Sequence, residues 1–100
     1  MEKFSNYLTT ILKSDKDAQE FINAALEQFF IDHNKELFLV SLKRVVEANG
    51  GISKIAKQAN VNRQHLYRML STKGNPSFDN IGSLLSAVGL KLKVETKRAA

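Results

Sequence analysis

Apolar residues recur every three or four positions along most of this chain and switch to strict alternation only near its end. Phe4, Tyr7, Leu8, Ile11 and Leu12 share one helical face, which predicts a short helix over residues 3–13. The run SDKD at 14–17 is a start signal: Ser14 or Asp15 can cap, and acids fall in the first turn. Ala18, Phe21, Ile22, Ala25, Leu26, Phe29 and Phe30 then form the stripe of a second helix that ends near His33. Asn34 can cap a third, whose stripe is Leu37, Phe38, Ser41, Leu42, Val45 and Val46, with Ala48 close behind. Gly50 and Gly51 stop it, one of them taking the left-handed backbone that follows a helix end. This glycine pair has no preceding strand and no following Lys-Ser/Thr, so it is not a phosphate loop.

Further along, Gly74, Asn75 and Pro76 mark a turn. Ser77 can cap a helix carrying Phe78, Ile81, Leu84, Leu85 and Val88, which Gly89 ends. In the tail, Leu90, Leu92 and Val94 alternate with Lys91, Lys93 and Glu95, the period of a half-buried strand. A lone strand leaves its backbone unsatisfied, and the sequence holds no second good one. The tail is therefore expected to pair with a distant segment or with its copy in a homodimer. Residues 97–100 read as a frayed end.

Between the glycine pair and the turn, residues 52–71 carry the requirements of a helix-turn-helix unit. Two short helices that cross steeply need a small residue at their approach, and Ala56 is there. Ile55, Ala59, Val61, Leu66 and Met69, together with Ala56, occupy the positions that point into the shared core. Asn60-Val61-Asn62 fits the connecting turn, with Asn60 tolerant of positive φ and Asn62 able to cap the second helix through the N–H of Gln64 or His65.

With Leu66, Met69 and Leu70 inward, helical geometry sends Arg63, Gln64, Tyr67 and Arg68 outward. In helix-turn-helix docking the second helix enters the major groove of duplex DNA, its first residues at the base edges. Arg63 matches the O6/N7 pair of guanine and Gln64 the N6/N7 pair of adenine. Arg68 can reach a base or a phosphate, and Tyr67 a sugar or a thymine methyl. Ser53, Lys54, Lys57, Lys73, Asn75 and Ser77 are the candidates for phosphate contacts that set register without reading sequence. His65 either touches a phosphate or packs beside Tyr67.

Charge sharpens this picture. Residues 1–50 hold six Lys/Arg against eight Asp/Glu, whereas residues 51–100 hold nine against two. The second half thus has a net charge of +7, and a polyanion is its natural partner. The first half holds six of the eight aromatics and suits packing against protein. One hundred residues make one domain, able to bury roughly 60–70% of its unfolded surface. No cysteine is present, no apolar run approaches the roughly 18 residues of a membrane span, and no signal-peptide pattern opens the chain. A cytoplasmic protein is expected. Two separated histidines and scattered carboxylates assemble no nucleophile–base pair, acid pair or metal cluster, so no enzyme, cofactor or metal is expected.

The segments "LKRVVEANGGISKIAKQA", "NRQHLYRMLSTKGNPSF" and "GLKLKV" resemble the Xre-type helix-turn-helix antitoxins known as addiction-module antidote proteins (HigA-like), and "YLTTILKSDKDAQEFINAALEQ" resembles their N-terminal arm. "FFIDHNKELF" departs from that pattern in being more aromatic than a short acidic linker. The resemblance implies a mainly α fold: a lambda-repressor-like helix-turn-helix bundle at 35–96 that includes the C-terminal β-strand, preceded by an N-terminal helical arm at 1–34. It also implies a homodimer that binds operator DNA, represses its own operon, neutralises a RelE/HigB-like toxin and associates with the nucleoid when bound to DNA in a bacterial cytoplasm. Phe21, Phe29 and Phe30 either meet that toxin or complete the core. Two other readings stay open: a Cro/repressor-like regulator without a toxin, and a helical interaction protein whose basic half binds RNA or an acidic protein.

Overall fold

Helices form where the stripes place them: α1 (Asp15–Asp32), α2 (Lys35–Ala48), α3 (Ile52–Gln58), α4 (Arg63–Met69) and α5 (Phe78–Ala87). The computed structural model describes residues 7, 8, 10–71 and 73–97. Tyr7, Leu8, Thr10 and Ile11 are also helical, and the Leu12 N–H donates to the Leu8 carbonyl at 2.8 Å. Phe4, at the start of the expected first stripe, lies outside the described residues.

The ends of the helices follow from single residues. Ser14 holds the N-cap position of α1 with extended backbone, but its side chain makes no capping bond; Asp15 and Asp17 meet the helix dipole instead. His33 closes α1 at φ 57°, its N–H donating to the Phe29 carbonyl at 2.7 Å. The next connection is a relay. Asp32 accepts from the Asn34 N–H (2.8 Å) and from Gln28 Nε2 (3.1 Å), and Asn34 Oδ1 caps α2 by accepting from the Glu36 N–H (2.9 Å). Those bonds, led by the Asn34 N–H, hold the Asp32 carboxyl below its ordinary value of 3.8. Gly50 and Gly51 both take positive φ, 115° and 92°, and the Gly51 N–H returns to the Val46 carbonyl at 3.0 Å.

α2 is the central beam, packed along α1 on one flank and against α3 on another. Its arc of Phe38, Leu42, Val45 and Val46 packs in one core with Leu12, Ile22, Ile55, Leu66, Leu70, Leu84, Leu85 and Val88, and Leu39 is buried as well. Covering a side chain of this kind contributes about 1.5–3 kcal/mol. The expected stripe needs one exchange. Leu37 is exposed and Leu39 buried, because Leu37 lies about 140° around the helix from Leu42 while Leu39 sits within about 60° of it.

Phe78 also leaves the expected core, being 77% exposed at the first position of α5. The expected C-terminal strand is absent: residues 90–96 have no regular secondary structure. Leu90 is half-buried and its N–H donates to the Leu85 carbonyl at 2.7 Å, but Leu92 is exposed and Val94 is 95% exposed. Alternation alone makes no ladder, and among the described residues no other strand offers one. No helix of the described residues is long and apolar enough to cross a membrane.

Candidate nucleic-acid interface

Seven residues of α3, a four-residue turn and seven residues of α4 build the site. Ile55 and Ala56 of α3 and Leu66 and Met69 of α4 are buried against each other's helix and the core, while Ala59 and Val61 are half-buried and packed against it. The small Ala56 lets the two backbones approach, and its carbonyl accepts from the Val61 N–H at 2.9 Å. Asn60 turns the chain at φ 57°, the left-handed conformation that asparagine tolerates. Asn62 Oδ1 then accepts from the N–H groups of both Gln64 (2.9 Å) and His65 (3.1 Å). This double cap matters because a helix of two turns has few internal hydrogen bonds of its own.

Arg63, Gln64, Tyr67 and Arg68 are all exposed. They line one open groove together with Ser53 at the start of α3 and Glu47 at the end of α2. A guanidinium and a primary amide side by side on an exposed first turn are chemically suited to forked hydrogen bonds with purine edges. The fourth member, Tyr67, is steadied from α2: Lys43 Nζ stands 5.7 Å from its ring centroid, within cation–π range.

The candidate phosphate contacts scatter more widely. Ser53 and Lys54 are exposed at the start of α3, and Lys73 is exposed beyond α4. Asn75 Oδ1 accepts from Lys35 Nζ at 3.1 Å, so its side chain ties the loop after α4 to the start of α2. Ser77 Oγ accepts from the Asn80 N–H at 3.1 Å and caps α5. His65 neither joins the groove nor stacks on Tyr67; its Nε2 lies 3.5 Å from Asn80 Nδ2 on α5.

Sequence reasoning passed over Lys43, Glu47 and Asn80, all remote from the motif in sequence or on its far side. The α2 pair carried a signal: both occupy the outward face of a helix that must run beside the motif. Glu47 pairs loosely with Arg44, at 3.8 Å. Gly74 is buried in the exit loop, and a β-carbon there would collide with the Met69 carbonyl group. Of the aromatics considered for protein contact, Phe21 is half-buried against the core, Phe29 is half-buried, and Phe30 is exposed, its ring set edge-on to Phe29 at 5.4 Å.

The chain matches, over residues 1–96, the family described as "Probable addiction module antidote protein". It is 33% identical over 89 residues to an uncharacterized protein of Haemophilus influenzae, covering 89% of this chain and 87% of that protein. No solved structure matches it. A match across nearly the whole length places the chain in the addiction-module antidote family.

Proposed function

We propose that this protein is the HigA-like, Xre-type antitoxin of a type II toxin–antitoxin module, that it neutralises a RelE/HigB-like toxin, and that it represses its own operon by sequence-specific DNA binding. In this reading residues 1–34 form an arm and residues 35–96 the DNA reader. The observation that carries it is the exposed first turn of α4, where Arg63 and Gln64 stand beside each other on a helix fixed by the Asn62 cap.

Arg63 and Gln64 read base edges, Tyr67 and Arg68 extend the contact along the groove, and Ser53, Lys54 and Lys73 hold phosphates. Glu47 adds selectivity: a carboxylate beside these readers repels phosphate and accepts only from a donor such as the cytosine amino group. The reader works as a homodimer, because two half-sites about 34 Å apart on the duplex require two linked recognition helices. The exposed Leu92 and Val94 of the tail supply apolar surface for that association.

The test is an electrophoretic titration of the full chain on the DNA upstream of its own gene, with unrelated duplex as competitor, at several salt concentrations. A complex that survives competitor and weakens steeply with salt is the expected result. Equal affinity for the competitor would leave only non-specific binding and end the repressor reading. Sedimentation of the chain truncated after Leu90 tests the dimer, which should dissociate.

A further inference from the structure

The surface farthest in character from the basic reader is the hairpin where α1 meets α2. Phe30 and Ile31, in the last turn of α1, are 70% and 73% exposed, and Leu37, in the first turn of α2, is 49% exposed. Only His33 and Asn34 separate the two helices, so all three side chains belong to one end of the hairpin. A large apolar side chain left in water forgoes about 1.5–3 kcal/mol of burial, and three such residues within eight positions are not a scattered surface background.

Charge says what can cover them. Residues 15–36 hold six acidic residues against two lysines, a net charge of −4 with histidine neutral. Glu27, Asp32 and Glu36 are exposed around the apolar group. Lys35 is half-buried and donates to Asn75, on the loop after α4. The Asp32 carboxylate accepts from Gln28 and from the Asn34 N–H, which fixes its negative charge at the turn. Nucleic acid and an anionic bilayer are repelled by such a rim, and so is the same face of a second copy. An apolar centre with a charged rim is instead the anatomy of a protein–protein interface.

We propose that this hairpin end is the docking surface for a basic protein partner, which receives Phe30, Ile31 and Leu37 in an apolar slot and sets lysines or arginines against Glu27, Asp32 and Glu36. This rests on the antidote reading, in which that partner is the toxin. It moves the interface from the middle of α1 to its end: Phe21 serves the core, Phe29 supports Phe30 edge-on, and only Phe30 of the three meets the partner.

Isothermal titration of the full chain with the protein encoded beside its own gene tests this. The variants are Phe30→Ser/Ile31→Ser, Glu27→Gln/Glu36→Gln and, as an exposed aromatic outside the patch, Phe78→Ser. All replace exposed side chains and should melt as the wild type does. The apolar double variant should bind on the order of 10-fold or more weaker. The charge variant should bind more weakly at low salt and lose much of the salt dependence of association. Phe78→Ser should bind as the wild type. Undiminished binding by the apolar double variant overturns the docking surface while leaving the antidote reading in place. A wild-type chain that does not bind the neighbouring protein at all removes the antidote reading, and this occupant with it. If the apolar variant instead changes the sedimentation of the chain alone, the face joins copies of this protein and the proposal falls.

Discussion

The hairpin end of α1–α2 and the helix-turn-helix of α3–α4 draw on one core and present opposite chemistries. In α4 the apolar positions Leu66 and Met69 are buried, and what remains outside is long, polar and able to hydrogen-bond. At the hairpin end the carboxylates of Glu27, Asp32 and Glu36 are exposed together with the apolar Phe30, Ile31 and Leu37. The contrast shows how one small core can support two surfaces of opposite chemistry. The acidic end would repel a polyanion, whereas α3 and α4 expose no aliphatic side chain.

The largest disturbance to this comparison is one that abolishes both ends. Leu42→Ala, at a fully buried position of the shared beam, should cost about 2–5 kcal/mol. Chemical denaturation should show a single transition moved to lower denaturant, with DNA and protein binding lost together under conditions where the variant unfolds. Separate transitions for the two ends would mean that the core is not shared.

Next in size are changes confined to the basic unit. Ala56→Leu overfills the crossing of α3 and α4 and should cost about 1–3 kcal/mol; a wild-type melting temperature would contradict the crossing. Arg63→Ala should leave the melt within about 0.5 kcal/mol of the wild type, its side chain being exposed. It should nonetheless remove about 1–3 kcal/mol of discrimination between operator and scrambled duplex in competition titrations. Undiminished preference would displace Arg63 from the reading position.

Smaller effects sharpen the contrast between the two ends. Asn62→Ala removes the acceptor for two N–H groups of α4 and should cost about 1 kcal/mol, visible as faster amide exchange in that helix and not in α1. Asp32 provides the counterpart at the hairpin. Its folded pKa lies below the ordinary 3.8, so its contribution is fully present above that value and lost as pH falls through the folded pKa. Asp32→Asn should therefore lower the melting temperature at neutral pH and lose part of the acid sensitivity seen in the wild type. Parallel pH profiles for the two proteins would remove Asp32 from the turn's stability.

Most of the helical frame could be read from periodicity and caps, because both are local. Asn34, Asn62 and Ser77 each accept from the N–H that their positions imply, and Asn60 takes the backbone that a tight turn demands. Exposure of the four groove residues also followed, since committing Leu66 and Met69 to the core leaves α4 only one other face. What escaped was long-range. The exchange of Leu37 for Leu39 depends on where neighbouring helices sit around α2. The place of Lys43 against Tyr67, and of Glu47 in the groove, depends on α2 running beside α4. The tail misled for a related reason: its alternation is a local property, whereas a strand exists only through its neighbour.

At Gly74 the exit from α4 passes so close to the main chain of Arg68 and Met69 that a methyl group has nowhere to go. Unlike a cap, which another acceptor can imitate, this fit is set by volume and admits one amino acid. The departing loop is thereby held at a single height above the end of α4. Every larger side chain at that point would have to lift the loop, and with it the Asn75 amide that reaches across to Lys35.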